Sequence, residues 1–105
     1  MARDSELDWQ VVRLDGAPDR IMSNPLDGGP AIPYGQGDWT DYSPSTNWAH
    51  GGPIIEREKI ELVPVFYGAG WYARHREKSC DGDQQFGETA LIAAMRAFVA
   101  AKKAS

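Results

Sequence analysis

Chemistry in this chain is concentrated between Asp41 and Glu58. Ser43, Ser45, Thr46 and Asn47 set four short hydrogen-bonding side chains around the indole of Trp48, with Tyr42 ahead of them and His50, Gly51 and Gly52 behind. Hydroxyls and a carboxamide suit a polar ligand, and an aromatic face lets a base stack, worth roughly 1–3 kcal/mol per base. Pro53 reads as the first residue of a short helix, where its missing N–H costs nothing. On that reading Gly51 and Gly52 leave the first amides of the helix open to an anion. Arg57 would then add a charge-assisted contact to a phosphate.

Other chemistries are weaker in the same residues. Asp41, Ser43, Ser45 and His50 include the types of a Ser-His-Asp relay. No Gly-x-Ser-x-Gly elbow exposes a nucleophile, however, and such triads assemble from distant elements. A turn capped by Ser45 or Thr46, ended at Gly51, accounts for the same residues. His50, His75, Asp81 and Asp83 are the available metal ligands, but the histidines share no helical spacing, and the Asp81-Gly82-Asp83 run has Phe86 where a calcium loop needs glycine. His75, between Arg74 and Arg76, is expected at the surface. Cys80, the single cysteine, excludes an internal disulfide and a cysteine zinc site, and nothing adjacent marks it as a nucleophile.

Two further sets bear on binding. Gly87 before Thr89 is a second glycine-preceded helix start, and Arg74 and Arg76 are further cations for an anion. Trp39, Tyr42, Trp48, Trp71 and Tyr72 could wall a cleft. In a chain this small large rings are also needed for burial. We therefore expect Trp48 and Trp71 in the core and assign the contact role to Trp39 and Tyr42.

The elements that must hold these residues follow from periodicity. Ser5-x-x-Asp8 is a weak capping box, and Leu7, Val11 and Leu14 form one apolar stripe of a helix closed by Gly16. Trp9 lies off that stripe, at its rim. Residues 19–23 suit one strand. From 24 to 52 the prolines at 25, 30, 33 and 44 and the glycines at 28, 29, 35 and 37 read as a long irregular loop, packed on the body from Trp39 onward and mobile at Gly28-Gly29-Pro30. Residues 59–66 alternate as a strand with Pro64 at an edge. Residues 67–70 turn, 71–75 return as the hairpin partner, and 76–87 loop out. Thr89 caps the strongest helix, whose face carries Leu91, Ile92, Met95, Phe98 and Val99, with Lys102 and Lys103 at its C-terminal end. The sum is a small α+β domain: a short antiparallel hairpin packed with an N-terminal and a longer C-terminal helix, plus a long Gly/Pro-rich loop.

Length and charge bound the partners. At 105 residues the chain is one domain. Its net charge is −4, carried by residues 1–52, so duplex nucleic acid is disfavoured for lack of a basic patch. No apolar run reaches the ~20 residues of a membrane span, and the first residues lack a signal-peptide core. We expect a cytoplasmic protein.

Tyr42-Ser43-Pro44-Ser45-Thr46-Asn47-Trp48, then Gly52-Pro53-Ile54-Ile55-Glu56, Trp71-x-Ala73 and Leu91-Ile92-Ala93-Ala94-Met95-Arg96 resemble the phage NinX-like family, and Leu7-Asp8-Trp9 fits the same pattern. Ala90 departs from it, standing where the family pattern implies proline. The resemblance implies a small protein of phages and prophages and no particular activity. The residues themselves lead us to expect a non-enzymatic binding protein for a small nucleotide-like ligand, without cofactor or metal. Its ligand-binding residues are Trp39, Tyr42, Ser43, Ser45, Thr46, Asn47, Trp48, His50, Gly51, Gly52 and Arg57. A homo-oligomer is expected, since a loop-rich chain encloses a ligand more easily between copies. In a phage, such a protein could act as a sponge for a host immune nucleotide. The rival readings are a protein-binding adaptor working through residues 24–52 and a nucleotide hydrolase.

Overall fold

The most apolar element organises the molecule. Helix α3 (Ala90–Lys103) begins where the Thr89 hydroxyl accepts the Ile92 amide at 3.2 Å, and it buries Ala93, Ala94, Met95 and Phe98 completely. The computed structural model describes residues 5–16, 20–66, 68–75 and 84–103. Around α3 pack α1 (Ser5–Asp15), α2 (Trp48–Glu58) and a sheet of three antiparallel strands, β4 (Ile60–Pro64), β5 (Trp71–His75) and β6 (Gln85–Gly87), in the order β4-β5-β6. A second antiparallel sheet, β1-β2-β3, comprises β1 (Met22–Ser23), β2 (Pro30–Tyr34) and β3 (Asp38–Asp41). The result is the α+β class expected, with three helices and two small sheets.

Both end helices form for the reasons their stripes suggest. Leu7 and Val11 of α1 are buried against α3 with Leu14 beside them, and Gly16 ends the helix at φ +75° by donating its amide to the Val12 carbonyl. The capping box is corrected. Ser5 lies inside the helix, and Asp8 turns inward, wholly buried, to accept the Ser45 amide at 2.9 Å. The expected β4–β5 hairpin forms, with Leu62 opposite Ala73, but β6 adds a third strand where an excursion was expected. There Gly87 meets α3 so closely that a Cβ would lie 2.3 Å from the Ala93 amide. Residues 76–83, which include Arg76, Cys80, Asp81 and Asp83, lie outside the described residues.

The long loop is the largest correction. Pro30–Tyr34 and Asp38–Asp41 pair as a hairpin, Ile32 opposite Thr40 and Pro33 opposite Trp39, closed by Gly35-Gln36-Gly37 with both glycines at positive φ. Strand β1 reaches only Pro30 and Ala31, so Pro33 has a neighbour on one side and its missing donor is tolerated. Gly28-Gly29-Pro30, expected mobile, makes specific contacts. Trp9 donates its indole N–H to the Gly28 carbonyl at 2.7 Å, the Asp27 carboxylate accepts the Gly29 amide at 2.9 Å, and Pro30 is fully buried. Asn24, also buried, donates to Asp41 at 2.6 Å and so ties the start of this segment to its end.

Candidate functional site

Helix α2 begins five residues earlier than Pro53. Asn47, with extended φ of −119°, caps it by accepting the Ala49 amide on its side-chain oxygen at 2.9 Å. Gly51, Gly52 and Pro53 therefore lie inside the helix. The Gly51 amide is spent on the Asn47 carbonyl at 2.9 Å, so the expected open amides after the double glycine do not exist there. Gly51 serves contact instead: a Cβ on it would stand 2.5 Å from the Pro44 carbonyl oxygen and 2.6 Å from Leu91, which brings α2 against the preceding turn and α3. Gly52 has no such constraint, its nearest neighbour being Trp48 at 4.0 Å.

Under the turn, the small side chains are structural in position. The Ser43 carbonyl accepts the amides of Thr46 and Asn47, while the Ser43 amide donates to His50 Nδ1 at 3.0 Å. His50 is therefore held with Nδ1 unprotonated, and burial lowers its pKa. Tyr42 stacks on His50 at 4.8 Å between ring centroids. Burial raises the phenol's pKa, with the carboxylate of Asp15 adding to the rise. Tyr42, expected as an accessible contact ring, is only 9% exposed, whereas Trp48, expected in the core, is 56% exposed.

Trp48 walls a cleft of about 320 Å³. Ser45 and Thr46 line it from the turn, and Thr89, Ala90, Leu91 and Ile92 from the start of α3. Two helix starts thus meet at one opening, α2 behind its Asn47 cap and α3 behind Thr89. The first-turn amides of Ala90 and Leu91 have no acceptor within their helix. Of the candidate residues, the structure brings Ser45, Thr46 and Trp48 together here, with Asn47 between them. Trp39, half-buried on β3, does not line the cleft, and neither do Tyr42, Ser43, His50, Gly51 and Gly52. The contribution of α3 was foreshadowed by the Gly87–Thr89 start, but nothing in the sequence could set that start beside Trp48.

Arg57 belongs elsewhere. It stands nine positions after Trp48 on the same helix, about 13 Å along the axis at 1.5 Å per residue. Its guanidinium pairs with Asp15 and, at 3.0 Å, with Glu58. Glu58 also meets His75 Nε2 at 2.8 Å and Lys102 at 3.3 Å, so its carboxylate links α2, β5 and α3, and Asp15 of α1 joins them through Arg57. Burial works against ionising Glu58, but the hydrogen bonds from His75, Arg57 and Lys102 prevail and hold its pKa down to about 2. His75, expected at the surface, is 5% exposed because this carboxylate gives it a buried partner. Among the described residues no group of three or more His, Cys, Asp or Glu side chains gathers as a metal site, and no helix is long and apolar enough to cross a membrane.

A family model described as Bacteriophage P22, NinX matches residues 2–102. No curated protein matches the chain.

Proposed function

Because the chain belongs to the NinX family of bacteriophage P22, we propose that it is a phage binding protein that takes a small nucleotide-like ligand in the Trp48 cleft without turning it over. One observation carries the reading: a largely exposed indole walls a cleft of about 320 Å³ beside the hydroxyl-bearing turn at Ser45 and Thr46 and the first turn of α3. A ring of that exposure forfeits burial that a small domain can use, and a base stacked on it would recover that area. Thr46 and Thr89 supply hydroxyls for a sugar, and the Ala90 and Leu91 amides accommodate the negative end of the ligand without a side-chain cation. None of the described lining residues is a titratable acid or base, which suits binding better than hydrolysis. The use that fits is sequestration of a host nucleotide signal, where tight retention suffices. A second copy closing the open side would complete the enclosure.

The test is mass spectrometry of small molecules released from protein purified out of phage-infected cells. A retained nucleotide, lost in Trp48→Ala at unchanged melting temperature, supports the reading. A nucleotide that is held equally by Trp48→Ala, or its absence from both, overturns it.

A further inference from the structure

Away from the Trp48 cleft, two depressions run together between α1 and α3. One, of about 250 Å³, is lined by Leu7, Gln10, Gln85, Arg96 and Val99 with Lys103, and the other, of about 190 Å³, continues from Gln10 and Lys103 to Arg13 and Leu14. Three cations therefore border one groove in a chain of net charge −4, and no carboxylate is among the described residues that line it. The cations are partly prearranged. Arg96 donates one nitrogen to the Phe86 carbonyl at 2.7 Å, and the Arg13 guanidinium lies 5.8 Å from the centre of the Trp9 ring.

We propose that this groove docks an acidic, amphipathic helical segment of a partner protein. The class of partner follows from spacing and floor. Arg96 and Lys103 stand seven residues apart on α3, about 10 Å along its axis, so they do not converge on one phosphate but match carboxylates two turns apart on a facing helix. The floor is apolar at Leu7, Leu14 and Val99, which a peptide's aliphatic side chains fill and a phosphodiester backbone does not. Gln10 and Gln85 offer amides to the polar edge of such a segment. Nucleic acid is further disfavoured because the rest of the chain repels it. The groove is separate from the Trp48 cleft, so the two assignments stand or fall independently.

Selection of a random 16-residue peptide library against the intact protein tests this, with the double variant R13E/K103E as the counter-target. Both side chains are exposed, and an unchanged melting temperature verifies the fold. The expected result is a consensus of Glu or Asp interleaved with Leu-like residues. A fluorescent consensus peptide should bind saturably, at least tenfold more weakly to the double variant and more weakly at high salt. No consensus, a consensus that binds both proteins equally, or displacement of the peptide by single-stranded oligothymidylate at lower concentration than by unlabelled peptide would overturn the proposal.

Discussion

The Asp8 carboxylate on α1 accepts the backbone amide of Ser45 at 2.9 Å, and both residues are wholly withdrawn from solvent. A carboxylate from the first helix thereby fixes the turn that carries Ser45 and Thr46 to the cleft and leads into the Asn47 cap. Ser45's own hydroxyl, by contrast, is buried with no hydrogen-bond partner among the described residues.

Asp8→Ala leaves a buried amide without its acceptor, which costs about 1–3 kcal/mol. Ser45→Ala keeps that amide and removes only the unpartnered hydroxyl, so it should be neutral or mildly stabilising. Urea unfolding of the two variants checks this contrast, and Ser45→Ala as the more damaging change would refute it.

The adjacent glycines of α2 predict effects of opposite sign. Alanine at Gly52 meets nothing closer than 4.0 Å and should stabilise by up to about 1 kcal/mol through helix propensity. Alanine at Gly51 meets a backbone carbonyl at 2.5 Å that cannot swing aside, so α2 must shift and stability should fall by more than that gain. Thermal melts of G51A and G52A suffice.

Glu58 sets an acid limb. Its folded pKa, about 2, lies below the ordinary 4.5, so the folded state holds this carboxylate ionised over a range where the unfolded chain takes up a proton. The stability it contributes is complete above about pH 5 and is lost as pH falls from 4.5 towards 2. Because Arg57 and Lys102 are partly exposed and screened, the contribution is about 1–3 kcal/mol. Glu58→Gln should remove it and flatten the stability profile between pH 5 and 3. An unchanged acid limb would show that other carboxylates govern it.

His50 titrates in the same sense at higher pH. Burial lowers its pKa, and the Ser43 amide occupies Nδ1. Its share of stability is present above the unfolded value near 6.5 and declines as pH falls below that. Imidazole resonances followed by NMR should report a midpoint below 6.5 and Nε2–H as the neutral tautomer. A midpoint above 6.5 would mean the Ser43–His50 bond is absent in solution.

Legibility in the sequence followed periodicity. The stripes of Leu7, Val11 and Leu14 and of Leu91 to Val99 gave both end helices, and alternation along residues 59–66, followed by a turn and a returning segment, gave the β4–β5 hairpin. The misreadings fall where a tertiary neighbour overrides a local preference. Pro33 reads as a strand breaker until β1 is seen to end short of it. Gly51-Gly52-Pro53 reads as a helix start until Asn47 is seen to cap and Gly51 to nest against Pro44 and Leu91. Ring placement failed for a related reason. Composition shows that some rings must be buried but not that His50 offers Tyr42 a stacking partner while Trp48 is left outside.

The cleft assignment is tested most directly by titrating the nucleotide recovered from infected cells into ¹⁵N-labelled protein. The account predicts saturable shifts of the Trp48 indole N–H and of the Ala90 and Leu91 amides, with the other three indoles unmoved. Saturable binding that leaves the Trp48 indole and the Ala90 and Leu91 amides in place, or no binding at all, would contradict it.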